Sequence, residues 1–381
     1  MGFRVEILPT ADRASVDQGL KYVNNEICYP AIVVIGDMIK ALKSGRYRPD
    51  QVALAISQTG GQCRDSCYLP LLKKALVAND LAEVPVVSFA SNFQPLNEQP
   101  GLRINYALFA YKLMFSLALA DALSAMYFAV ASRERRPGAA LAIADRYLTR
   151  LDDGTIPLRR GAILATIRAA AAEFNAVEVR VGELPRAAMV GEIFLKLNSF
   201  ANNRTAQWLM DQGIEVEVPP LMEYFTSTFI NSEVDVRCGM RRRDLLWGVT
   251  KLVRGYVERF LRDADRARRA FRFYRPSHDI AQIAAAAQDV IDLANHYGEG
   301  WLIPGEIGAY VQSGVSNILC IQPFGCMANQ VTARGIEKRL KKRYPQLNIL
   351  YLDNDAGTSE VNIQNRLHFF VNHARARHHS S

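Results

Sequence analysis

Asn317–Gln330 reads NILCIQPFGCMANQ. Asn317 to Gln322 is an apolar run rich in β-formers and bounded by a turn, the pattern of a buried strand. Pro323-Phe324-Gly325 is turn chemistry. From Asn329 to Arg343 the pattern becomes helical. A strand, a turn and a helix in immediate succession form half of a β-α-β unit. The two cysteines, Cys320 and Cys326, flank the turn.

Working outward, the same alternation recurs on both sides. Downstream, Asn348–Asp353 reads as a strand and Glu360–His373 as a helix. Upstream, Ala187–Phe194 and Ile214–Val218 read as strands around a helix at Asn203–Met210. Near the start, Phe3–Leu8, Val52–Ser57 and Val84–Phe89 read as strands. Helices are expected at Pro30–Leu42, opened by a proline whose missing N–H costs nothing there, and at Tyr68–Val77. Such alternation predicts an α/β fold: two doubly wound parallel-sheet, Rossmann- or flavodoxin-like domains with helical insertions. The expected layout is an N-terminal α/β domain over 1–104 and a helical connecting region over 105–184. A C-terminal α/β domain over 185–373 follows, carrying a helical insertion at about 221–297. Residues 374–381 are expected to be a disordered tail.

Asn105–Ser132 is long enough to cross a bilayer, but Lys112 and Asp121 interrupt it, and a buried helix or helix pair is expected instead. The start, MGFRVEILPTADR, has no basic stretch leading into an apolar one. The expectation is therefore a cytoplasmic chain with reduced thiols and no membrane partner. The net charge of +8 sits in runs such as Arg241–Arg243 and RDADRARRAFRFYR at Arg262–Arg275. These read as solvated helix faces, or as contacts for a phosphate-bearing ligand or an acidic protein. No helix-turn-helix, zinc-finger or RNP-like motif is present, and no nucleic-acid partner is expected. The chain also has no P-loop, GxSxG or HExxH motif.

In an open α/β sheet, ligands gather beyond the carboxyl ends of the strands. Cys63 and Cys326 each follow a strand and a turn, and Cys28 lies just outside a helix start. Free N–H groups at helix starts favour negative charge, which lowers a thiol pKa and suits a thiolate-held metal or cluster. Gly60, Gly61 and Gly325 would let the backbone approach such a body. Cys67, four residues after Cys63, shares its face if a helix has begun. Cys320 is mid-strand, on the face of Ile318 and Gln322, and Cys238 lies among arginines; both also read as structural residues. Asp353 and Asp355 could bind Mg²⁺, or simply shape a loop. His278 and His296 stand alone and read as structural.

Six segments then appear in order: NNEICYPAIVVIGDMIKALKSGRY, ISQTGGQCRDSCYLPLLKKAL, GEIFLKLNSFANN, GEGWLIPGEI, NILCIQPFGCMANQ and LDNDAGTSEVNIQNR. Together they resemble the C-terminal region of the large 2-hydroxyacyl-CoA dehydratase activase-related proteins. That region is similar to the cluster-bearing dehydratase component and to double-cubane cluster proteins. The resemblance implies an oxygen-sensitive iron–sulfur protein that receives or relays a low-potential electron from an ATP-dependent activase. It implies a [4Fe–4S] cluster held by Cys28, Cys63, Cys320 and Cys326, with Cys67 as a further ligand and, with Cys238, a double cubane as the variant form. Alternatives are that the chain is itself the dehydratase, a radical hydro-lyase acting on an acyl-CoA, or a non-catalytic module docked to an activase ATPase. A homo- or heterodimer is expected. Two positions depart from the pattern: CRDSCY has Cys67 where an asparagine is expected, and CMANQ has Gln330 where a histidine is expected.

Overall fold

Parallel strands need crossovers long enough to hold a helix, and this chain supplies them in three places. The computed structural model describes residues 4–60, 63–90 and 105–378. The chain opens with helices α1 (Arg13–Gly19) and α2 (Tyr29–Lys43). Strand β1 (Leu54–Gln58) follows, then a 3₁₀ turn at Arg64–Cys67, helix α3 (Tyr68–Val77) and strand β2 (Val86–Ala90). β1 and β2 pair in parallel as a two-stranded sheet. The expected strand at Phe3–Leu8 is not formed over residues 4–8, and Phe3 lies outside the described residues. Val5 and Ile7 alternate as a strand should, yet both are 82% exposed. Alternation alone does not make a strand without a neighbour to pair with.

A helical layer comes next: α4 (Tyr106–Ala131), α5 (Ala139–Asp152) and α6 (Arg160–Ala176). α4 is the one described helix long and apolar enough to cross a membrane, and half of that apolar stretch is buried inside the protein. Its inner face, with Phe115, Leu119 and Met126, joins a core built also from α5, α6 and, from a later helix, Phe260 and Ala264.

The second sheet starts with β3 (Arg186–Gly191), crosses through α7 (Ile193–Leu197) and α8 (Thr205–Asp211), and adds β4 (Glu215–Glu217). The chain then leaves through α9 (Leu221–Arg237), α10 (Leu245–Ala267), α11 (Ile280–Gln288) and α12 (Leu302–Gln312). It returns as β5 (Asn317–Pro323), α13 (Met327–Thr332), α14 (Glu337–Arg343), β6 (Asn348–Asn354) and α15 (Glu360–His378). The sheet is wholly parallel with strand order β4-β3-β5-β6. The winding direction therefore reverses between β3 and β5, the point at which open α/β sheets bind ligands beyond the carboxyl ends of their strands. Helix α15 continues to His378, so 374–378 is helical rather than the expected disordered tail; Ala374 is buried against the core.

One face of this sheet, through Met189, Leu319, Ile321 and Leu352, shares a core with α2, α3, α15 and Ile56 of β1. The other, through Ala188, Val190, Ile318 and Cys320, packs on Ile303, Ile307, Tyr310 and Leu340. The arginine-rich segment is partly consumed by internal pairing. Arg268 pairs with Asp265 at 2.8 Å and Arg275 with Glu215 at 2.9 Å.

Candidate functional site

The turn after β5 folds back on the start of α2. A Cβ placed on Gly325 would lie 2.5 Å from the Glu26 carbonyl oxygen and 2.7 Å from that of Ile27. No side chain larger than hydrogen fits, and that tightness brings Cys326 beside Cys28. A third segment arrives from the loop before α12. Gly298 adopts φ +64°, and a Cβ there would lie 3.1 Å from Ala328 Cβ and 3.9 Å from Cys63 Sγ. Cys28, Cys63 and Cys326, far apart in the chain, thus come near enough for Cys63 to act on Cys28 and Cys28 on Cys326. Gly60, by contrast, has open space around it, and Gly61 lies outside the described residues.

Each of the three thiols precedes a helical segment in extended backbone, as the spacing predicts. Cys28 Sγ lies 3.4 Å from the Tyr68 hydroxyl, and Asn329 Nδ2 donates to Cys326 Sγ at 3.0 Å. Two carboxyls border them. Glu192, after β3, accepts from the Phe194 and Leu195 N–H groups at 3.0 and 2.8 Å. Glu299 accepts from the Ile193 N–H at 3.1 Å and from Asn329 Nδ2 at 3.4 Å. The electrostatics reverse the expectation of acidic thiols. Burial, then the Glu299 charge, pushes Cys63 up to about 12. Burial, then Glu192, raises Cys28, and burial, then Glu299, raises Cys326. Backbone N–H groups of Ala31, Asp65 and Asn329 do favour the three thiolates, but burial outweighs them. In the protein alone these sulfurs are thiols, and a bound cation must displace their protons.

The other predicted residues stand in different surroundings. Cys320 is fully buried in the core on the α12 face, and its charged neighbours are Glu306, Lys196, Asp353 and Glu299, the last of which it shares with Cys63 and Cys326. Cys67 ends the 3₁₀ turn, half-buried, with the Ser66 hydroxyl 3.8 Å away. Cys238 is exposed at the end of α9. Asp353 binds Gln322 Nε2 at 2.6 Å and Arg334 at 2.9 Å, and Gln330 Nε2 donates to it at 3.4 Å. The glutamine that replaces the expected histidine is therefore tied into the sheet edge. Asp355 accepts from the Gly357 N–H at 2.6 Å and shapes the loop. His278 lies 3.2 Å from Ser313 Oγ and His296 2.8 Å from Asp235, both in structural contacts.

What sequence reading missed is a buried acid cluster. Glu192, Glu223, Glu299 and Glu306 are all raised, with burial the largest cause in each. Lys196 is the cation they share, and its ammonium sits 3.3 Å from Glu306 Oε1. The missed signal is an acid directly after glycine in apolar surroundings: Gly191-Glu192, Gly298-Glu299 and Gly305-Glu306. Among the described residues, no three His, Cys, Asp or Glu side chains converge closely enough to hold a single metal ion. The donor set fits a thiolate-held body: three thiols from separate segments, with the Tyr68 hydroxyl beside Cys28 and the Asn329 amide N–H on Cys326.

The raised acids set a pH dependence. Burial raises Asp121 to about 6 from 3.8, and Glu306 is raised from 4.5. The folded chain thus keeps protons that the unfolded chain has released, so the contribution of these groups to stability is complete below about pH 4 and is lost as pH rises through their folded values. Urea denaturation of the iron-free chain should give a lower midpoint at pH 8 than at pH 6. A midpoint that climbs over this range would show that these acids are not held neutral.

No protein-family model and no curated protein matches this chain.

Proposed function

We propose that the chain is an iron–sulfur protein of the 2-hydroxyacyl-CoA dehydratase/activase type, accepting or relaying a low-potential electron from an ATP-dependent activase. The observation that carries the reading is the nearness of Cys28, Cys63 and Cys326 to one another, with Cys326 just after β5, where the parallel sheet changes winding direction. The strand order supports reading this sheet as a doubly wound, Rossmann-like unit. The six segments of family resemblance supply the electron chemistry and the partner, and a cytoplasmic, anaerobic setting goes with them.

Cys28, Cys63 and Cys326 would hold the cluster. Glu192 or Glu299 stands nearest to supply an oxygen where a fourth thiol is missing, since Cys320 points into the core. A bound [4Fe–4S] cluster supplies a one-electron redox centre. The Tyr68 hydroxyl and the Asn329 amide hydrogen-bond its sulfur ligands, and so tune its potential. Cys28 and Cys326 are buried and Cys63 is half-buried, which limits the access of water to them.

Iron and acid-labile sulfide, counted on anaerobically purified or reconstituted protein, test the reading. The expected result is about four irons per chain and a visible band bleached by dithionite. Cys28→Ser, Cys63→Ser and Cys326→Ser should each lose most of the iron. Cys320→Ala should keep it and cost about 1 kcal/mol of stability through a small core cavity. Iron-free wild-type protein after reconstitution would sink the proposal. Iron loss in Cys320→Ala would return Cys320 to the ligand set.

A further inference from the structure

A cavity of about 480 Å³ lies between α4, the end of β4, the start of α9, α10 and the 271–280 segment, on the far side of the acid cluster from the cysteines. Its volume is that of a small-molecule site. Leu117, Phe128, Met222 and Phe271 give it an apolar wall. Glu223 and Tyr310 line it, at 7% and 6% exposure. The Glu223 carboxyl makes no hydrogen bond and no ion pair, and the Tyr310 hydroxyl makes no hydrogen bond. Neither is sealed away: their oxygens are not among the fully enclosed polar atoms without a partner, so they open onto the cavity.

The charge around Glu223 is one-sided. Its charged neighbours are Glu306, Lys196 and Asp121. Lys196 is already committed to Glu306. Asp121 accepts from the Leu221 and Met222 N–H groups and caps α9. Of the wall's arginines, buried Arg268 is taken by Asp265, half-buried Arg275 by Glu215, and the more exposed Arg266 by Asp263. A carboxyl buried without a cation is costly to ionise, so Glu223 holds its proton in the free protein and would give it up to solvent when a cation binds beside it. We propose that this cavity binds a protonated primary amine with an apolar body, its ammonium held by the Glu223 carboxylate and the Tyr310 hydroxyl. The site is separate from the proposed cluster site and does not depend on it.

Calorimetric titration of the full chain at pH 7 with three probes of like shape tests this: 2-phenylethylamine, 2-phenylethanol and phenylacetate. The amine should bind at least tenfold tighter than the alcohol, and phenylacetate should bind most weakly. Glu223→Gln should remove that preference, leaving amine and alcohol alike. The wild-type ranking stands whether or not that variant folds. Equal binding of amine and alcohol would make the cavity a generic apolar pocket. Preference for phenylacetate would hand the site to the arginines of α10. No amine binding at millimolar concentration would end the proposal. These readings are the same on iron-free and iron-loaded protein, so failure here and failure of the cluster assignment are told apart.

Discussion

Gly325→Ala should destabilise the protein by about 1–3 kcal/mol and strip most of its iron, although the alanine touches no ligand. The added methyl would stand 2.5 Å from one backbone carbonyl oxygen and 2.7 Å from the next. Both obstacles are backbone, so no side chain can rotate away. The Pro-Phe-Gly turn must lift from Glu26–Ile27, and Cys326 moves off Cys28 with it. Gly60→Ala is the control, since nothing lies within 4 Å of its added methyl. That variant should stay within about 0.5 kcal/mol of wild type and keep its iron. Denaturation midpoints read the first effect and iron content the second. If Gly325→Ala matched Gly60→Ala in both, the contact between the turn and the α2 start would be looser than described. Lost stability with full iron would instead separate the turn's packing from any role in holding the cluster.

Much of this was legible from local pattern, and the failures have physical causes. Tyr68–Val77 is a helix from end to end as read, because a long apolar stripe needs no partner to declare itself. The strand after Val315 is fully buried, as its unbroken apolar run implies. That Cys28, Cys63 and Cys326 each precede a helical segment was legible because turn chemistry and strand ends fix where a residue lies in an α/β fold. Phe3–Leu8 misled because a strand is a relation between segments. Cys320 was placed among the ligands by resemblance alone; its strand period already set it beside Ile318, on the face that the structure buries against Ile307 and Tyr310. The acid cluster was illegible for another reason. Glu192, Glu223, Glu299 and Glu306 come from separate stretches of the chain, and the glycine that precedes three of them does not by itself say that the acid is buried. The thiol pKa values followed the same logic: the helix starts were read correctly, but burial, a tertiary property, decides the sign.

The run at Arg262–Arg275 shows how a charge pattern can hide a core contact. Glu215→Ala should cost about 3–5 kcal/mol in urea denaturation, well beyond an average substitution. Glu215 is the first residue of β4, with its side chain 2% exposed. It meets Arg133 at 2.7 Å, and Arg275 holds it in a fork at 3.1 and 2.9 Å. Arg133 is itself 6% exposed, bonds the Ala129 carbonyl at 3.0 Å, and lies over the Phe273 ring. Removing Glu215 leaves a guanidinium buried without its counter-charge. A lone buried glutamate escapes such a state by taking a proton; arginine cannot release one at any pH a protein survives. The cost of Glu215→Ala should therefore stay flat from pH 5 to 8, while the stability of the parent falls. Arg133→Met fills similar volume and leaves Glu215 forked to Arg275, so it should cost under about 2 kcal/mol. That inequality is the test. Equal losses for Glu215→Ala and Arg133→Met would mean that Arg275 contributes nothing to the pair. A small loss for both would return this stretch to the solvated helix face that its sequence suggests.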